Sequence, residues 1–296
     1  MKEKPFSKYQ ILANAVMIIW TLAIILPFIL LFMSSITDEN TLVANGYSFF
    51  PKKFSLASYY YIIKSGGQIL KAYGVSIGVT VVGTLLNVLL SALMAYPLSV
   101  KNLPGRNVMM FFVFFTMLFN GGIVPSYIMW TGTFHIKDTI FAQLLPNFLL
   151  SAWNVMMIRT YFTTSIPDGL YEAAEIDGAS QFTIFWKIVL PLGKPILVTM
   201  GTFAGLAYWN DWTNGLYYIV KNTGLYNVQN LLNQMVQNIQ FLTQSSNSNV
   251  TAAASTIPAT GIQMAIAFVA ILPIMLIFPS FQKYYAKGIA LGAVKG

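Results

Sequence analysis

Charged residues along this chain fall into short clusters separated by long uncharged intervals. No Asp, Glu, Lys or Arg occurs from Tyr9 to Thr37, from Ala72 to Val100, from Asn107 to Ile136 or from Thr139 to Ile158. A helix needs roughly 20 mostly apolar residues to cross ~30 Å of hydrocarbon, and all four intervals supply them. Two more apolar stretches complete six expected spans, near 11–33, 72–97, 108–130, 139–161, 193–213 and 261–281. An even number returns both termini to one side of the bilayer.

The segments between the spans carry the turn chemistry. Lys101-Asn102-Leu103-Pro104-Gly105-Arg106 is a short basic turn whose Pro-Gly pair ends a helix. Asn120-Gly121-Gly122 and Pro125 break the pattern after the third span, and unwound backbone at membrane depth is tolerated only against protein or water. Tyr59-Tyr60-Tyr61 reads as an interfacial anchor. Gly74 with Gly78, and Gly201 with Gly205, place small residues where helices could approach closely. Leucine and valine at helical spacing predict a short helix within Tyr226–Leu242, followed by the polar run Gln244–Thr251.

Composition strengthens the membrane reading. Apolar residues make up 56% of the 296 positions and charged residues only 9%, against about 25% charged in soluble domains. The formal net charge of +8 comes from 17 basic and 9 acidic residues. Because the basic residues flank spans and form no stripe interleaved with aromatics, nucleic-acid binding is excluded. A cytoplasmic N-terminus (1–10) puts Lys2, Lys4, Lys8, Lys101, Arg106, Arg159, Lys187, Lys194, Lys283, Lys287 and Lys295 inside. Lys52, Lys53, Lys64, Lys71, Lys137 and Lys221 then lie outside, a bias in the direction that retained cytoplasmic lysines predict. There is no cysteine, and His135 stands alone, so thiolate and histidine metal sites are not expected.

The loop 162–191 between the fourth and fifth spans reads as two short helices separated by Gly178. Pro167 and Asp168 suit a helix start and Gly178 a helix stop. Leu170, Ala173, Ala174 and Asp177 follow helical spacing and predict a shallow apolar strip ringed by acids. Glu172-Ala173-Ala174, then three residues to Gly178, then nine more to Ile188-Val189-Leu190-Pro191, resembles the EAA loop of bacterial ABC importer permeases at its defining positions. In that family the loop sits in a cleft of the cytoplasmic ATPase subunit. The resemblance therefore assigns Glu172, Ala173, Ala174, Asp177 and Gly178 to the ATPase contact and fixes the loop inside.

Two further stretches narrow the resemblance to carbohydrate-uptake permeases. Tyr208-Trp209-Asn210-Asp211-Trp212 is similar to their Trp-Asn-acid pattern. The end Leu291–Gly296 is similar to the tail of the maltose-type smaller permease, with Ala293 where that relative has glycine. The tail (283–296) of that relative reaches between the ATPase subunits, which makes Gly292, Lys295 and Gly296 expected contacts. The family implies an all-α polytopic protein of the bacterial cytoplasmic membrane with both termini inside. It also implies a second homologous permease, two ATP-binding cassette subunits that hold ATP and Mg, and an extracytoplasmic solute-binding protein.

For the cargo, an aromatic face beside a few polar groups suits a sugar ring. Tyr208, Trp209, Asn210, Asp211 and Trp212 in the fifth span, Trp153 and Asn154 in the fourth, and Asn120 after the third are the expected pathway residues. The simpler reading makes the tryptophans an interfacial belt and the asparagines interhelical bonds. No phosphate-cradling G-x-x-x-x-G-K-[ST] loop is present, so the chain is expected to hold no nucleotide and to catalyse nothing itself. An importer permease for an amino acid or osmolyte and a secondary transporter that needs no ATPase are the alternatives.

Overall fold

The structure is a computed structural model describing residues 8–64, 66–244 and 259–293. Its elements in chain order are α1 (Lys8–Ser35), α2 (Glu39–Asn45), α3 (Ala57–Lys64), α4 (Gly66–Ser99), α5 (Arg106–Leu118) and α6 (Ile123–Thr133). Then come α7 (Phe141–Leu144), α8 (Ala152–Ser165), α9 (Asp168–Ile176), α10 (Gln181–Leu192), α11 (Lys194–Asn210), α12 (Thr213–Tyr218), α13 (Val228–Gln244) and α14 (Ala259–Ala293). Among the described residues there is no strand, only an isolated bridge between Thr37 and Phe54.

Among the described residues three helices are long and apolar enough to cross a membrane, α1, α4 and α14, and up to five spans result if each bent helix pair counts as one. At 1.5 Å per residue the 34 residues of α4 extend about 51 Å. Apolar side chains cover α1 on all sides, and none of those in its central window is buried in the isolated chain, as on a helix whose surroundings are themselves apolar.

The third and fourth expected spans are not single helices. α5 ends at Leu118, and α6 leaves at 110°. The Asn120 side chain accepts from the Gly122 N–H at 2.8 Å, and Gly122 has φ +85°, a conformation that only glycine adopts readily. In the fourth, the single turn α7 gives way to unwound backbone before α8. Pro146 cannot continue a helix, Asn147 takes φ +68°, and Ser151 caps α8 by accepting from the Asn154 N–H. Hydropathy misses this break because no charge marks it. At the entry to the fifth, the loop helix α10 meets α11 at 79°. A Cβ at Gly193 would lie 2.5 Å from the Phe162 ring, so the corner requires glycine.

The chain divides into two compact units. In the unit that draws on residues up to Ile69 and on Leu232–Pro273, Ile62 packs with Ile262, Ala265 and Ile266. Glu39 grips the start of α14 with both carboxylate oxygens, accepting from Thr260 N–H at 2.9 Å and Gly261 N–H at 2.8 Å. Of the three tyrosines expected to anchor at the interface, Tyr59 turns inward to hydrogen-bond Ser35, while Tyr60 and Tyr61 stay exposed.

The second unit, Leu70–Leu231 with the segment from Ile274, holds the largest core. Tyr96 and Leu98 of α4, Ile158 and Phe162 of α8, Ala174 of α9, and Ile184, Phe185 and Val189 of α10 pack together there. The two glycine pairs behave differently. Gly201 and Gly205 lie against Val88 and Thr84 of α4, at 3.4 and 3.3 Å from where a Cβ would sit, whereas Gly74 and Gly78 face open space.

The unwound stretch 145–151 poses the main energetic problem, since a carbonyl without a partner in an apolar interior costs about 1–3 kcal/mol. Side chains from three other elements meet it. The Tyr208 hydroxyl donates to the Leu144 carbonyl at 2.9 Å, Asn214 Nδ2 to that of Pro146 at 3.1 Å, and Asn87 Nδ2 to that of Phe148 at 2.6 Å. The Tyr208 ring reaches its place across Gly83, where any Cβ would run into it. Gly83→Val should therefore destabilise the protein by about 1–3 kcal/mol. Gly78→Ala, on an open face of the same helix, should leave the thermal unfolding midpoint of the detergent-purified protein unchanged.

Candidate functional site

The loop 162–191 is built around α9. Pro167 precedes the helix in extended conformation and Asp168 occupies its first turn, where a carboxylate meets unpaired N–H groups. At the other end Asp177, Gly178 and Ala179 donate their N–H groups to the carbonyls of Ala173, Glu175 and Ala174, and Gly178 takes φ +76°. This wrap ends the helix within one turn. Ser180 then caps α10 by accepting from the Thr183 N–H at 3.2 Å.

The expected strip of Leu170, Ala173, Ala174 and Asp177 is divided between two faces. Ala174 packs into the protein's own core together with Tyr171. Leu170, Glu172, Ala173, Ile176, Asp177 and Gly178 are exposed, Ile176 at 86%. Residues 171 and 174 are neighbours one turn apart and point together, whereas 172, 173 and 176 lie around the opposite side. Ala174 therefore supports the outer face and is not part of it. Burial pushes the Tyr171 phenol up to about 12, so it is neutral at physiological pH. Lys101 pairs with Asp168 at 2.5 Å, an exposed bridge that fixes position more than it stabilises. Of the tail residues, Gly292 lies in α14, while Lys295 and Gly296 fall outside the described residues.

The expected pathway residues do not converge on one cavity. Asn120, Trp153, Asn210 and Trp212 are exposed; Asn154, Tyr208, Trp209 and Asp211 are buried. Tyr208 supports the unwound stretch. Asn154 donates to Asn87 at 2.7 Å and so aims the Asn87 amide at Phe148, which is the interhelical reading of that asparagine. Trp209 packs against Tyr73, ring centroids 6.4 Å apart. Asp211, 6% exposed, uses Oδ1 to accept from the Thr213 N–H and hydroxyl and from the Asn214 N–H, which starts α12.

Around Asp211 lies a set of amides that the sequence reading passed over. Asn227 donates to the Asp211 carbonyl at 2.7 Å and Asn230 to that of Trp212. Gln143 donates to Asn230 and to the Leu225 carbonyl, and Asn147 to Asn214. The loop after α12 is thereby welded to the broken fourth span. A signal was present: Asn87, Gln143 and Asn147 stand inside otherwise uncharged apolar intervals, where a polar side chain has to find a partner.

Comparison with known proteins bears on this arrangement. Residues 6–291 match the family model described as binding-protein-dependent transport system inner membrane component. The chain belongs to that family. The permease is 36% identical over 272 residues to Protein LplC of Bacillus subtilis, covering 92% of this chain and 90% of that one. It is also 36% identical over 288 residues to the polygalacturonan/rhamnogalacturonan transport system permease protein YtcP of the same organism, covering 97% and 98%. Among solved structures, a chain of a bacterial ABC transporter that imports the acidic polysaccharide alginate superposes with a TM-score of 0.79 at 26% identity, covering 96% of this chain and all of that one.

One loop junction in the permease makes a test of its electrostatics. Asp138, at φ +58°, accepts with a single oxygen from three successive N–H groups, those of Val220, Lys221 and Asn222, at 2.7, 2.8 and 3.2 Å. The Lys221 amide most strongly, then those of Val220 and Asn222, hold its carboxyl below the usual carboxylate range. A depressed folded pKa contributes stability that is complete above the unfolded value of about 3.9 and is lost as pH falls through the folded value. Hydrogen exchange at Val220–Asn222, corrected for intrinsic rates, should show protection near neutral pH that fails below about pH 4. Asp138→Asn keeps the left-handed backbone but offers a neutral acceptor, and should lower the protection and flatten its pH dependence.

Proposed function

We propose that this chain is the membrane permease subunit of an ATP-driven importer and that its cargo is a carbohydrate, an oligosaccharide handed over by an extracytoplasmic binding protein. The observation that carries the reading is α9. It holds the Glu172-Ala173-Ala174 signature on a helix anchored from behind by Tyr171 and Ala174, with Glu172, Ala173, Ile176 and the open turn at Gly178 presented outward. Such a shallow, rigid surface suits a groove in a partner. The polygalacturonan/rhamnogalacturonan and alginate systems named above support the cargo class.

In this reading the protein crosses the cytoplasmic membrane of a bacterium six times, with both termini inside. α1, α4, α11 and α14 are whole spans, the bent pair α5–α6 is a fifth, and α7–α8 with its unwound middle is the sixth. A second, homologous permease completes the pathway. Two ATPase subunits bind ATP and Mg, and they dock on Glu172, Ala173, Asp177 and Gly178, with Gly292, Lys295 and Gly296 reaching toward them. The permease itself hydrolyses nothing. Asn210 and Trp212 at the end of α11, with Trp153 and Asn120, are the exposed residues available to a sugar, while Tyr208, Trp209, Asp211 and Asn154 anchor the segments that carry Asn210, Trp212 and Trp153.

Gly178→Asp tests the docking surface, because the turn has open space around it and the left-handed backbone costs a non-glycine residue only about 1–2 kcal/mol. The variant should insert in the membrane at wild-type level yet fail to co-purify with the ATPase, and uptake should be lost. Wild-type uptake by Gly178→Asp would refute the assignment. For the cargo, Trp212→Ala should reduce uptake of neutral and acidic oligosaccharides. Import of amino acids or osmolytes in preference to any saccharide would assign the permease to another solute class.

A further inference from the structure

The inward face of α9 is tied to one end of α4 at three levels. Its start is held by the pair Asp168–Lys101 just beyond α4. Its middle is held by Tyr171, whose ring lies against Tyr96 of α4 with centroids 6.4 Å apart and planes 29° from parallel. Its end is held through a relay, in which the Tyr96 hydroxyl donates to Gln181 Oε1 at 2.5 Å and Gln181 Nε2 donates to Glu175 Oε1 at 2.7 Å. Tyr96 also meets Phe185, ring centroids 5.5 Å apart. One buried side chain of α4 therefore touches both short helices of the loop, α9 through Tyr171 and α10 through Gln181 and Phe185.

The chemistry gives this relay a fixed direction. A carboxylate accepts and cannot donate, so Glu175 draws the Gln181 NH2 toward itself. The Gln181 oxygen then faces Tyr96, and the phenol has to donate. Apolar packing of Tyr96 on Tyr171 alone would let the loop slide along the helix surface, whereas two short directional bonds in series set its register.

Farther along, α4 is keyed to α11, which ends on the exposed pathway residue Asn210, and to α13. Gly83 receives the Tyr208 ring, Tyr73 meets Trp209, and the Ser76 hydroxyl accepts from the Val228 N–H at 2.8 Å. No break interrupts α4 between Tyr73 and Tyr96. We propose that Tyr96, positioned by Gln181 and Glu175, is the joint through which movement of the docking helix α9 is passed to α4 and onward to α11. This rests on the importer reading above. Tyr96, Gln181 and Glu175 are positioning residues that touch neither nucleotide nor cargo.

The test uses the whole transporter, permease pair with both ATPase subunits, in lipid. The chain has no cysteine, so a single one placed by Asn210→Cys reports on the end of α11. Its maleimide labelling rate is measured without nucleotide and after trapping with ATP and vanadate. In the parent the two rates should differ. Tyr96→Phe, which keeps the ring contacts and removes only the donor, should shrink that difference about five-fold or more, the lower end of ordinary coupling between sites. ATPase co-purification and basal ATP hydrolysis should stay within about two-fold of the parent.

Gln181→Ala should have the same effect, and the double variant should add little to either, as members of one relay do. Glu175→Gln, which still offers an acceptor oxygen, should be milder than Glu175→Ala. A full ATP-dependent difference in Tyr96→Phe would overturn the proposal. So would equal loss of assembly, hydrolysis and labelling response, because that is the mark of a purely structural residue. A parent that neither holds the ATPase nor responds to ATP would instead refute the importer reading, and the relay with it.

Discussion

The constraint on which the rest of the second unit depends is the need to satisfy backbone that has left its helix inside an apolar protein. Pro146 and Asn147 unwind the fourth span, and the carbonyls of Leu144, Pro146 and Phe148 are met by Tyr208, Asn214 and Asn87. Each of those side chains then imposes a further requirement. Tyr208 needs the bare surface of Gly83, Asn87 needs Asn154 to orient it, and Asn214 is held through Asp211 and Asn147. The break in the fourth span thereby specifies residues on three other helices, and the signature Tyr208-Trp209-Asn210-Asp211-Trp212 becomes legible as mostly architecture.

That changes how the Trp-Asn-acid stretch relates to the sugar. Three of its five members, Tyr208, Trp209 and Asp211, are turned into the protein, which leaves Asn210 and Trp212 on the surface in fixed directions. The docking helix follows the same plan at smaller scale. Tyr171 and Ala174 are spent on packing so that Glu172, Ala173 and Ile176 can be presented on a support that does not yield. In both places the recognisable motif is a mixture of surface and foundation, and spacing in the sequence does not separate the two.

The helical class and the three longest helices were legible because charge is costly in hydrocarbon, and its absence can be read directly. The break at Asn120–Gly122 and the stop at Gly178 were legible because positive φ favours glycine and marks its place. Pro146-Asn147 was not read as a break, since an uncharged interval looks continuous to any hydropathy argument and prolines are common in membrane helices. The glycine pairs show the limit of spacing alone. Gly201 and Gly205 serve a close approach and Gly74 and Gly78 do not, and only the neighbouring helix distinguishes them. Ala173 and Ala174 likewise differ by 100° around one helix, enough to send one outward and one into the core.

The grip of Glu39 on two amides in the first turn of α14 has a consequence in time. Its partners lie 221 and 222 residues further along the chain. Closing so long a segment costs about 5 kcal/mol of chain entropy, from (3/2)RT ln n alone. Two hydrogen bonds to a carboxylate, at about 1.5–3 kcal/mol each, offset that cost only when both form. During synthesis the carboxylate must wait until every intervening span has been made. The clasp can then close in a single step, and it joins a segment made among the first to one made among the last.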